Sequence, residues 1–213
     1  MSSVVTVVDY GIGNLLSVCR GFEHIGAEVD LTTDPDRISK AGRLVLPGVG
    51  AFANCMAELR ARHFVEPVLE YLTRERPFLG ICVGMQMMMD ASEEFGRHEG
   101  LALIGGEVLQ IPPAVTEGRH YKVPHIGWSS IDTPAGTEWS DTILSECQDG
   151  EPMYFVHTFT AHPDNQAHRL ADTDYHGNRI SAAIHAGYHY GCQFHPEKSG
   201  QAGLSVLRRF VQI

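Results

Sequence analysis

The sequence lacks a long hydrophobic run, a paired-cysteine motif and a secretion signal. No stretch of about 18 apolar residues occurs, so no membrane-spanning helix is expected. The 5 cysteines lie far apart and include no CxxC pair, which argues against a disulfide framework and predicts a reducing compartment. The opening residues MSSVVTVVDYGIGN have no basic segment before their short apolar run, unlike a signal peptide. We therefore expect a cytoplasmic protein without a membrane segment.

Positive charge is also scarce. Lysine and arginine number 16 against 26 aspartates and glutamates, which gives a formal net charge of −10. This balance argues against general binding to nucleic acid or to an anionic membrane. The hydrophobic share of 43% is that of an ordinary globular protein with a sizeable core. The length of 213 residues predicts a single α/β domain over residues 1–213.

The sequence carries no convincing cofactor or metal motif. It has no Walker-type GxxxxGK[ST] segment, and DYGIGN (9–14) lacks the third glycine of a dinucleotide fingerprint. HAGYH (185–189) has His-x-x-x-His spacing, but it lies among predicted strands, where the two rings would not converge on a metal. We expect no cofactor and no metal.

Strands alternate with helices through the first half of the chain. Apolar and β-branched runs closed by glycine, proline or aspartate predict buried strands, and the segments between them have helical patterning. This alternation indicates a flavodoxin-like α/β fold, with a mostly parallel sheet and flanking helices. The predicted strands are 4–11, 28–32, 43–50 and 77–82, and the predicted helices are 14–24, 51–73 and 83–91.

The second half changes character. Strand-like segments separated by turn residues predict antiparallel strands added to the parallel core. Residues 133–150 are polar and rich in turn residues, which predicts a surface loop with a short helical turn near 142–147. The strand-like segments are 103–112, 123–131, 153–160, 179–187 and 188–196, and a closing helix is predicted at 201–213.

Residues 80–84 read GICVG and place Cys82 between two glycines at the end of a predicted strand. Active sites of α/β sheets lie at the carboxyl ends of strands, where a tight turn can hold a nucleophile and glycines relieve the clashes. The helix that follows would favour the thiolate, and the N–H of Val83 would face a developing oxyanion. On this pattern alone, a buried packing cysteine is the alternative. The cysteines without such a setting, interpreted as packing residues, are Cys19, Cys55, Cys147 and Cys192.

A thiol nucleophile needs a base, and the base needs a group that orients it. FHPE (194–197) offers both. In an extended chain His195 and Glu197 share a face, and Pro196 biases His195 away from helix, so the carboxylate would accept a hydrogen bond from the imidazole. The chain has 12 histidines, so this pair alone is a weak indication. Together with Cys82 it predicts a Cys-His-Glu triad.

The segment PGVG (47–50) ends another predicted strand. Its glycines let backbone N–H groups approach a ligand closely. The loop is therefore a candidate second donor to the oxyanion, a contribution of roughly 10²–10³ in rate where such donors have been removed. Taken alone, the segment is more simply interpreted as an ordinary turn.

With these three elements placed, the chain resembles the class I (triad-type) glutamine amidotransferases. Within them it is similar to the family of glutaminase subunits of imidazole glycerol phosphate synthase, which belongs to histidine biosynthesis. The resemblance covers nearly the whole chain, although Val83 stands where leucine is usual and the segment between Trp128 and Tyr154 is long. The stretches that carry it are VDYGIGNLLSV (8–18), LPGVGAF (46–52), GICVGMQMM (80–88), KVPHIGW (122–128), YFVHTF (154–159) and QFHPEKSG (193–200).

The resemblance implies a role for each matching residue. Cys82 would attack glutamine and form a thioester, His195 would transfer the proton, and Glu197 would orient His195. The implied oxyanion hole is formed by Val83 with Val49 and Gly50, which lie on a loop that reorients. The implied contacts to L-glutamine are Gly48, Gln86, His157, Thr158 and Phe159. The implied residues at the partner interface and the ammonia exit are Asn14, Trp128, Tyr154 and Lys198.

The resemblance also implies a partner. Ammonium is a poor nucleophile, so a glutaminase acting alone would waste its product, and this chain shows no acceptor-binding domain. In the resembled family a (β/α)₈-barrel cyclase uses the ammonia and forms a heterodimer with the glutaminase. Three alternatives stay open: a glutaminase serving another acceptor, as in nucleotide-sugar amidation; another Cys-His hydrolase, such as a γ-glutamyl peptidase; and a flavodoxin-like binding module with an inert cysteine.

Overall fold

The computed structural model describes residues 4–116, 119–121 and 123–213. Residues 1–3 of the predicted domain and Lys122 of KVPHIGW lie outside the described residues. The strands are β1 (Val4–Val8), β2 (Glu28–Thr32), β3 (Leu44–Gly48), β4 (Phe78–Cys82), β5 (Met89–Ser92), β6 (His98–Glu99), β7 (Ile104–Gln110), β8 (Ala114–Thr116), β9 (Arg119–Tyr121), β10 (His125–Ile131), β11 (Glu151–His157), β12 (Phe159–Pro163), β13 (Arg169–Tyr175), β14 (Asn178–Ala186) and β15 (His189–Cys192).

The helices begin and end at local sequence features. The side chain of Asp34 accepts a hydrogen bond from the N–H of Asp36 at 2.9 Å and so caps the second helix, which starts with Pro35. No helix in the described part of the chain is long and apolar enough to cross a membrane. The helices are α1 (Leu15–His24), α2 (Pro35–Lys40), α3 (Phe52–Ala61), α4 (Val65–Leu72), α5 (Val83–Gln86) and α6 (Gly200–Gln212), with 3₁₀ turns at Gln166–His168 and Pro196–Lys198.

The central sheet has the strand order β2-β1-β3-β4-β15-β14-β13. Its first five strands are parallel, and β14 and β13 add antiparallel pairs at one side. Strands β3 and β4 are buried along their whole length, as expected for strands covered on both faces. The sheet confirms the predicted α/β fold with antiparallel strands added in the C-terminal half.

The carboxyl ends of three neighbouring strands meet at one edge of this sheet. Gly48 at the end of β3 is paired with Cys82 at the end of β4, and Cys192 at the end of β15 is paired with Ile81. Because the three strands are parallel, the chain segments that follow them emerge side by side. PGVG, GICVG and QFHPE are thereby brought to one place, although QFHPE lies far from the other two in sequence.

Three smaller assemblies complete the fold. Strands β10 and β11 form an antiparallel ribbon, β8 and β9 form another antiparallel pair, and β12-β7-β5-β6 form a second sheet. The sequence predicts one strand over 153–160, but the chain breaks at Thr158, so that β11 and β12 join different sheets. Strands β5, β6, β8, β9 and β13 and helix α2 were not predicted, whereas the predicted strand 28–32 matches β2.

The single helix predicted over 51–73 is wrong. The chain forms α3 and α4 instead, with a break at His63, whose φ is +58°. The N–H of Phe64 donates to the carbonyl of Leu59 at 2.9 Å, and the N–H of His63 donates to Arg60 at 3.0 Å. This is a left-handed helix end of the Schellman type, formed here by histidine in place of the usual glycine. No glycine marks this helix end, but Pro67 in the first turn of α4 does mark the start of a new helix.

The helix predicted over 83–91 is too long. Helix α5 ends at Gln86, and Met89–Ser92 forms β5, which pairs with β7 in parallel and with β6 antiparallel. The methionine run is buried, as predicted for core packing. Unbranched methionine fits a helix or a strand, so the distant pairing partner decides the conformation.

The surface loop predicted over 133–150 is partly wrong. The segment has no helix or strand, and hydrogen-bonded turns do occur near 142–147. However, Trp139 and Leu144 are buried in the main core, and the indole N–H of Trp139 donates to the carbonyl of Leu170 at 2.7 Å. A few large apolar side chains therefore anchor the loop to the core. The mostly polar composition of the segment gave no indication of this in the sequence.

Candidate active site

Cys82 sits in a strained turn between β4 and α5. Its backbone has φ +55° and ψ −111°, a region that residues other than glycine rarely adopt. A β-carbon at Gly84 would lie 1.8 Å from the carbonyl oxygen of Leu46, and one at Gly80 would lie 2.5 Å from the carbonyl oxygen of Gly84. The two glycines are thus required because neighbouring backbone occupies the space of a side chain.

Helix α5 contributes less to the thiolate than the sequence predicts. It has only 4 residues, and the macrodipole of a helix builds up from its aligned peptide groups. Stabilisation of a sulfur anion at Cys82 must therefore come mainly from side chains and individual N–H groups around it. Cys82 is 4% exposed, so these neighbours act in a largely dry environment.

His195 and Glu197 form a buried pair beside this turn. Nδ1–H of His195 donates to Oε1 of Glu197 at 2.8 Å, and the two side chains are 3% and 1% exposed. His195 is extended, as Pro196 predicts, but Glu197 lies in the 3₁₀ turn Pro196–Lys198. The predicted extended geometry of the pair is therefore wrong, and the turn makes the hydrogen bond instead.

The environment of His195 favours its protonated form. Burial alone would lower the pKa of His195, but its interactions with the Cys82 sulfur and with the Glu197 carboxylate outweigh burial and raise the pKa to about 9. Among the described residues, Nε2 of His195 has no hydrogen-bond partner within ordinary geometry. This nitrogen is thus available at the cavity that Cys82 also lines.

The PGVG loop is held by two side chains beneath it. The hydroxyl of Tyr10 donates to the carbonyl of Pro47 at 2.7 Å, and the thiol of Cys55 donates to the carbonyl of Val49 at 3.4 Å. Cys55 is buried, as predicted for a packing residue, but it also makes this specific contact. Val49 and Gly50 reach the cavity beside Cys82, while their role as oxyanion donors stays a prediction, as does that of Val83.

A cavity of about 190 Å³ lies between these elements. It brings together the proposed nucleophile and base with the loop glycine and with most residues predicted to contact glutamine. Gly48 does not line it but packs directly behind, where a β-carbon would lie 2.8 Å from the backbone nitrogen of Gly84. The residues that line the cavity are Val49, Gly50, Cys82, Val83, Gln86, Glu94, Val156, His157, Thr158, Phe159 and His195.

Two polar residues at this site were missed in the sequence. Glu94 lines the cavity, and its Oε2 accepts a hydrogen bond at 2.7 Å from the N–H of Phe52, which begins α3. Gln193 is completely buried, and its side-chain amide lies 3.7 Å from the sulfur of Cys82. Gln193 precedes His195 by two residues, which was the one sequence feature that could have indicated it.

A chain of neutral histidines supports one wall. Nδ1–H of His157 donates to the carbonyl of Phe159 at 2.8 Å, so its Nε2 accepts from Nδ1–H of His125 at 3.0 Å. Nε2 of His125 then accepts from the hydroxyl of Ser129 at 2.8 Å. Burial lowers the pKa of His157 to about 3 and that of His125 to about 4. Both rings are therefore uncharged at neutral pH, which keeps this hydrogen-bond direction fixed.

The residues predicted at the partner interface lie away from the cavity. Trp128 is 57% exposed, and its ring meets that of Tyr154 edge-on with centroids 6.0 Å apart. Asn14 precedes α1, and Lys198 is exposed on the 3₁₀ turn. None of the four lines the cavity, so their predicted role stays a prediction. Across the described residues, no three His, Cys, Asp or Glu side chains are arranged to hold a metal ion.

Residues 6–213 match the family described as glutamine amidotransferase class-I. The chain belongs to this family. Among class I glutamine amidotransferases it is 51% identical over 212 residues to the imidazole glycerol phosphate synthase subunit HisH 1 of Legionella pneumophila (strain Paris), covering 99% of this chain and 100% of the relative. The subunit HisH of Syntrophotalea carbinolica is 44% identical and covers 97% of this chain and 98% of the relative. Within the family, the chain belongs with the HisH subunits.

Solved structures agree with the fold of a class I glutamine amidotransferase. PurLQS from Thermotoga maritima superposes with a TM-score of 0.74 at 18% identity, covering 100% of this chain and 99% of that chain. A crystal structure described as glutamine amidotransferase gives a TM-score of 0.71 at 13% identity, covering 98% and 99%. At these identities the likeness concerns the fold alone.

Proposed function

We propose that this chain is the glutaminase subunit of an imidazole glycerol phosphate synthase in histidine biosynthesis. The observation that carries the proposal is the buried pair of His195 and Glu197 at the cavity that Cys82 lines. The identity of 51% with HisH 1 of Legionella pneumophila supports the pathway. The substrate is L-glutamine, and the products of this subunit are glutamate and ammonia.

In the first half-reaction, Cys82 attacks the side-chain amide carbon of glutamine. The thiol proton resides on Nε2 of His195, because a pKa of about 9 keeps this ring protonated at neutral pH. His195 gives that proton to the amide nitrogen as the carbon–nitrogen bond breaks and the carbon–sulfur bond remains. Ammonia leaves, and a thioester links the glutamyl group to Cys82.

In the second half-reaction, water hydrolyses the thioester. His195, now neutral, takes a proton from water while the oxygen attacks the thioester carbon. The carbon–sulfur bond breaks and glutamate leaves. This restores protonated His195 and the sulfur anion of Cys82. Throughout, Glu197 holds Nδ1–H at 2.8 Å, so that Nε2 of His195 stays directed at the reacting atoms.

In both steps negative charge develops on the oxygen of the attacked carbonyl. The proposed donors to this oxyanion are the backbone N–H of Val83 and those of Val49 and Gly50, each contributing roughly 10²–10³ in rate if it matches known cases. Glu94 adds a carboxylate at the cavity that complements the α-ammonium group of glutamine. The further proposed substrate contacts are Gly48, Gln86, His157, Thr158 and Phe159.

The ammonia is consumed by a second chain. The proposed partner is a (β/α)₈-barrel cyclase that forms a heterodimer with this subunit and makes imidazole glycerol phosphate and aminoimidazole carboxamide ribonucleotide. Exposed Trp128 and its neighbour Tyr154 support an interface on this side, with Asn14 and Lys198 as the other proposed contacts. We further propose that residues 1–213 act as one domain in the cytoplasm, in keeping with 5 cysteines that are all free.

The decisive experiment measures glutamate release from glutamine by the purified chain, alone and with the barrel cyclase plus its ribonucleotide ligand. We expect strong stimulation by cyclase and ligand together. The variant Cys82→Ala should release no glutamate yet bind the cyclase and leave ammonia-dependent synthesis by the cyclase intact.

Each other outcome has a definite meaning. Hydrolysis without stimulation would keep the triad and assign the chain to another acceptor, such as a nucleotide-sugar amidation system, or to a γ-glutamyl peptidase. Absence of hydrolysis in both conditions would overturn the proposal and favour a binding module. If Cys82→Ala also stopped synthesis from ammonium salts, the proposed division of labour between the chains would be wrong.

A further inference from the structure

The sulfur of Cys82 has a hydrogen-bond donor that the triad does not include. Nε2 of Gln193 lies 3.7 Å from Sγ of Cys82, within the range of an N–H···S hydrogen bond. Gln193 is 0% exposed, so its amide cannot turn to water for partners. A buried amide of this kind is costly unless its polar atoms are paired, and one of its pairs is the nucleophile itself.

The orientation of this amide is determined by a second glutamine. Nε2 of Gln86 donates one N–H to the carbonyl of Phe159 at 3.0 Å and the other to Oε1 of Gln193, also at 3.0 Å. A backbone carbonyl can only accept, so the nitrogen of Gln86 must be on that side. Oε1 of Gln193 then faces Gln86, and its NH₂ group must face Cys82. The two amides thus fix each other, and neither can be reversed without losing a hydrogen bond.

We propose that Gln193 is a catalytic residue that donates a hydrogen bond to the sulfur of Cys82, and that Gln86 is a positioning residue that directs this donor. The inference deepens the proposed function and rests on Cys82 as the nucleophile. Gln86 retains only its Oε1 and its backbone for contact with a substrate, since both side-chain N–H groups are occupied.

The chemical effect follows from the charge on sulfur during the cycle. Hydrogen bonds strengthen when the acceptor is an anion, so Gln193 favours the thiolate over the thiol. It does so without adding a second positive charge beside protonated His195. In the thioester the sulfur is a poor acceptor, and the hydrogen bond is regained when hydrolysis expels the sulfur. Gln193 therefore assists both formation of the nucleophile and its departure as a leaving group.

The variant Gln193→Glu tests this role most directly. Glutamate has the shape of glutamine and still offers an oxygen to Gln86, and as a carboxylate it presents an acceptor to the sulfur where the donor was. Gln193→Met is measured beside it, because a buried carboxyl that takes up a proton could still donate to the sulfur, whereas methionine has no donor. We expect alkylation of residue 82 by iodoacetamide to slow roughly tenfold on the acid side of its pH–rate profile, where the rate follows the thiolate fraction, and the profile to move to higher pH. Gln86→Leu should change the rate in the same direction by a smaller factor.

Three controls isolate the effect. Cys82→Ser corrects for alkylation of the other cysteines, and thermal unfolding checks that each variant is folded. Thr173→Val changes another buried polar side chain, on the outer strand β13, and should leave the alkylation profile unchanged. If Gln193→Glu does not fold, Gln193→Met keeps the length of the side chain without an N–H and gives the same test.

Gln193→Glu and Gln193→Met proteins that are both alkylated at the original rate with the original pH profile would overturn the inference and leave Gln193 as a packing residue. The measurement uses neither glutamine nor a partner. Failure of this inference would appear as unchanged alkylation profiles. Failure of the proposed function would appear as absent or unstimulated glutamate release, while the alkylation profiles of the variants still differed.

Discussion

Nδ1 of His195 and Oε1 of Glu197 lie 2.8 Å apart although both side chains are almost completely buried. Within the described residues, Oε2 of Glu197 has no hydrogen-bond partner, so the imidazole is the carboxylate's direct side-chain partner. A buried carboxylate is stabilised chiefly by a cation beside it. The pair therefore both orients the ring and supplies the charge that keeps it protonated.

Glu197→Gln separates these two effects. Glutamine keeps an oxygen for Nδ1–H but removes the negative charge, so we expect kcat for glutamate release to fall by about 10²-fold, less than the complete loss in Cys82→Ala. The assay is run with saturating cyclase and its ligand. Glu146→Gln, which removes only a half-exposed ion pair with Arg208, serves as the control and should keep full activity. A loss equal to that of Cys82→Ala would mean that Glu197 does more than orient and charge the ring.

The histidine chain behind the cavity predicts acid sensitivity. The pKa values of His125 and His157 are lowered to about 4 and about 3 from 6.5. As the pH falls, both rings therefore take up protons in the unfolded chain before they do so in the folded chain. Stability is therefore lost as pH falls below 6.5 towards 4, by up to about 1.4 kcal/mol per pH unit for each ring. His195 acts in the opposite direction because its pKa is raised. Its contribution to stability is present below pH 6.5 and is lost as the pH rises through about 9.

This prediction is tested by urea unfolding at several pH values. His125→Asn should flatten the acid limb of the free energy of unfolding, even though it lowers stability at neutral pH. His63→Asn is the matched control, because His63 is exposed and asparagine tolerates its positive φ. Parallel acid limbs for the wild type and His125→Asn would show that the ring is not held neutral.

Two tyrosines give a matched pair at opposite ends of the sheet. The hydroxyl of Tyr10 donates to the carbonyl of Pro47 at the start of PGVG, and that of Tyr71 donates to the carbonyl of Pro77 just before β4. Each Tyr→Phe change should cost about 1 kcal/mol of stability. Only Tyr10→Phe should also lower kcat several-fold, because only its bond holds a loop of the cavity.

Denaturant midpoints and glutamate release measured on both variants decide this point. Comparable loss of stability with activity reduced in Tyr10→Phe alone supports a role for Tyr10 in holding the loop. Equal activity in the two variants would show that PGVG keeps its position without the hydroxyl.

The sequence predicted the features that depend on local pattern. Strands buried on both faces appear as apolar runs, and the GICVG turn appears as a cysteine between two glycines, so β4 and Cys82 were predictable. Strand β5 was not, because its methionines fit a helix equally well and a distant partner decides. Glu94 and Gln193 were not predicted either, since common polar residues acquire a role only through contacts made far along the chain.

The ribbon of β10 and β11 joins two regions that the sequence treats separately. Strand β11 turns His157 towards the buried core and Tyr154 towards Trp128, while the carbonyl of Tyr154 accepts the backbone N–H of His195 at 2.9 Å. Tyr154 therefore links Trp128 on the exposed side of the ribbon to His195 at the cavity through one backbone hydrogen bond. A substitution that displaces the backbone at Tyr154 would displace the backbone of His195 with it.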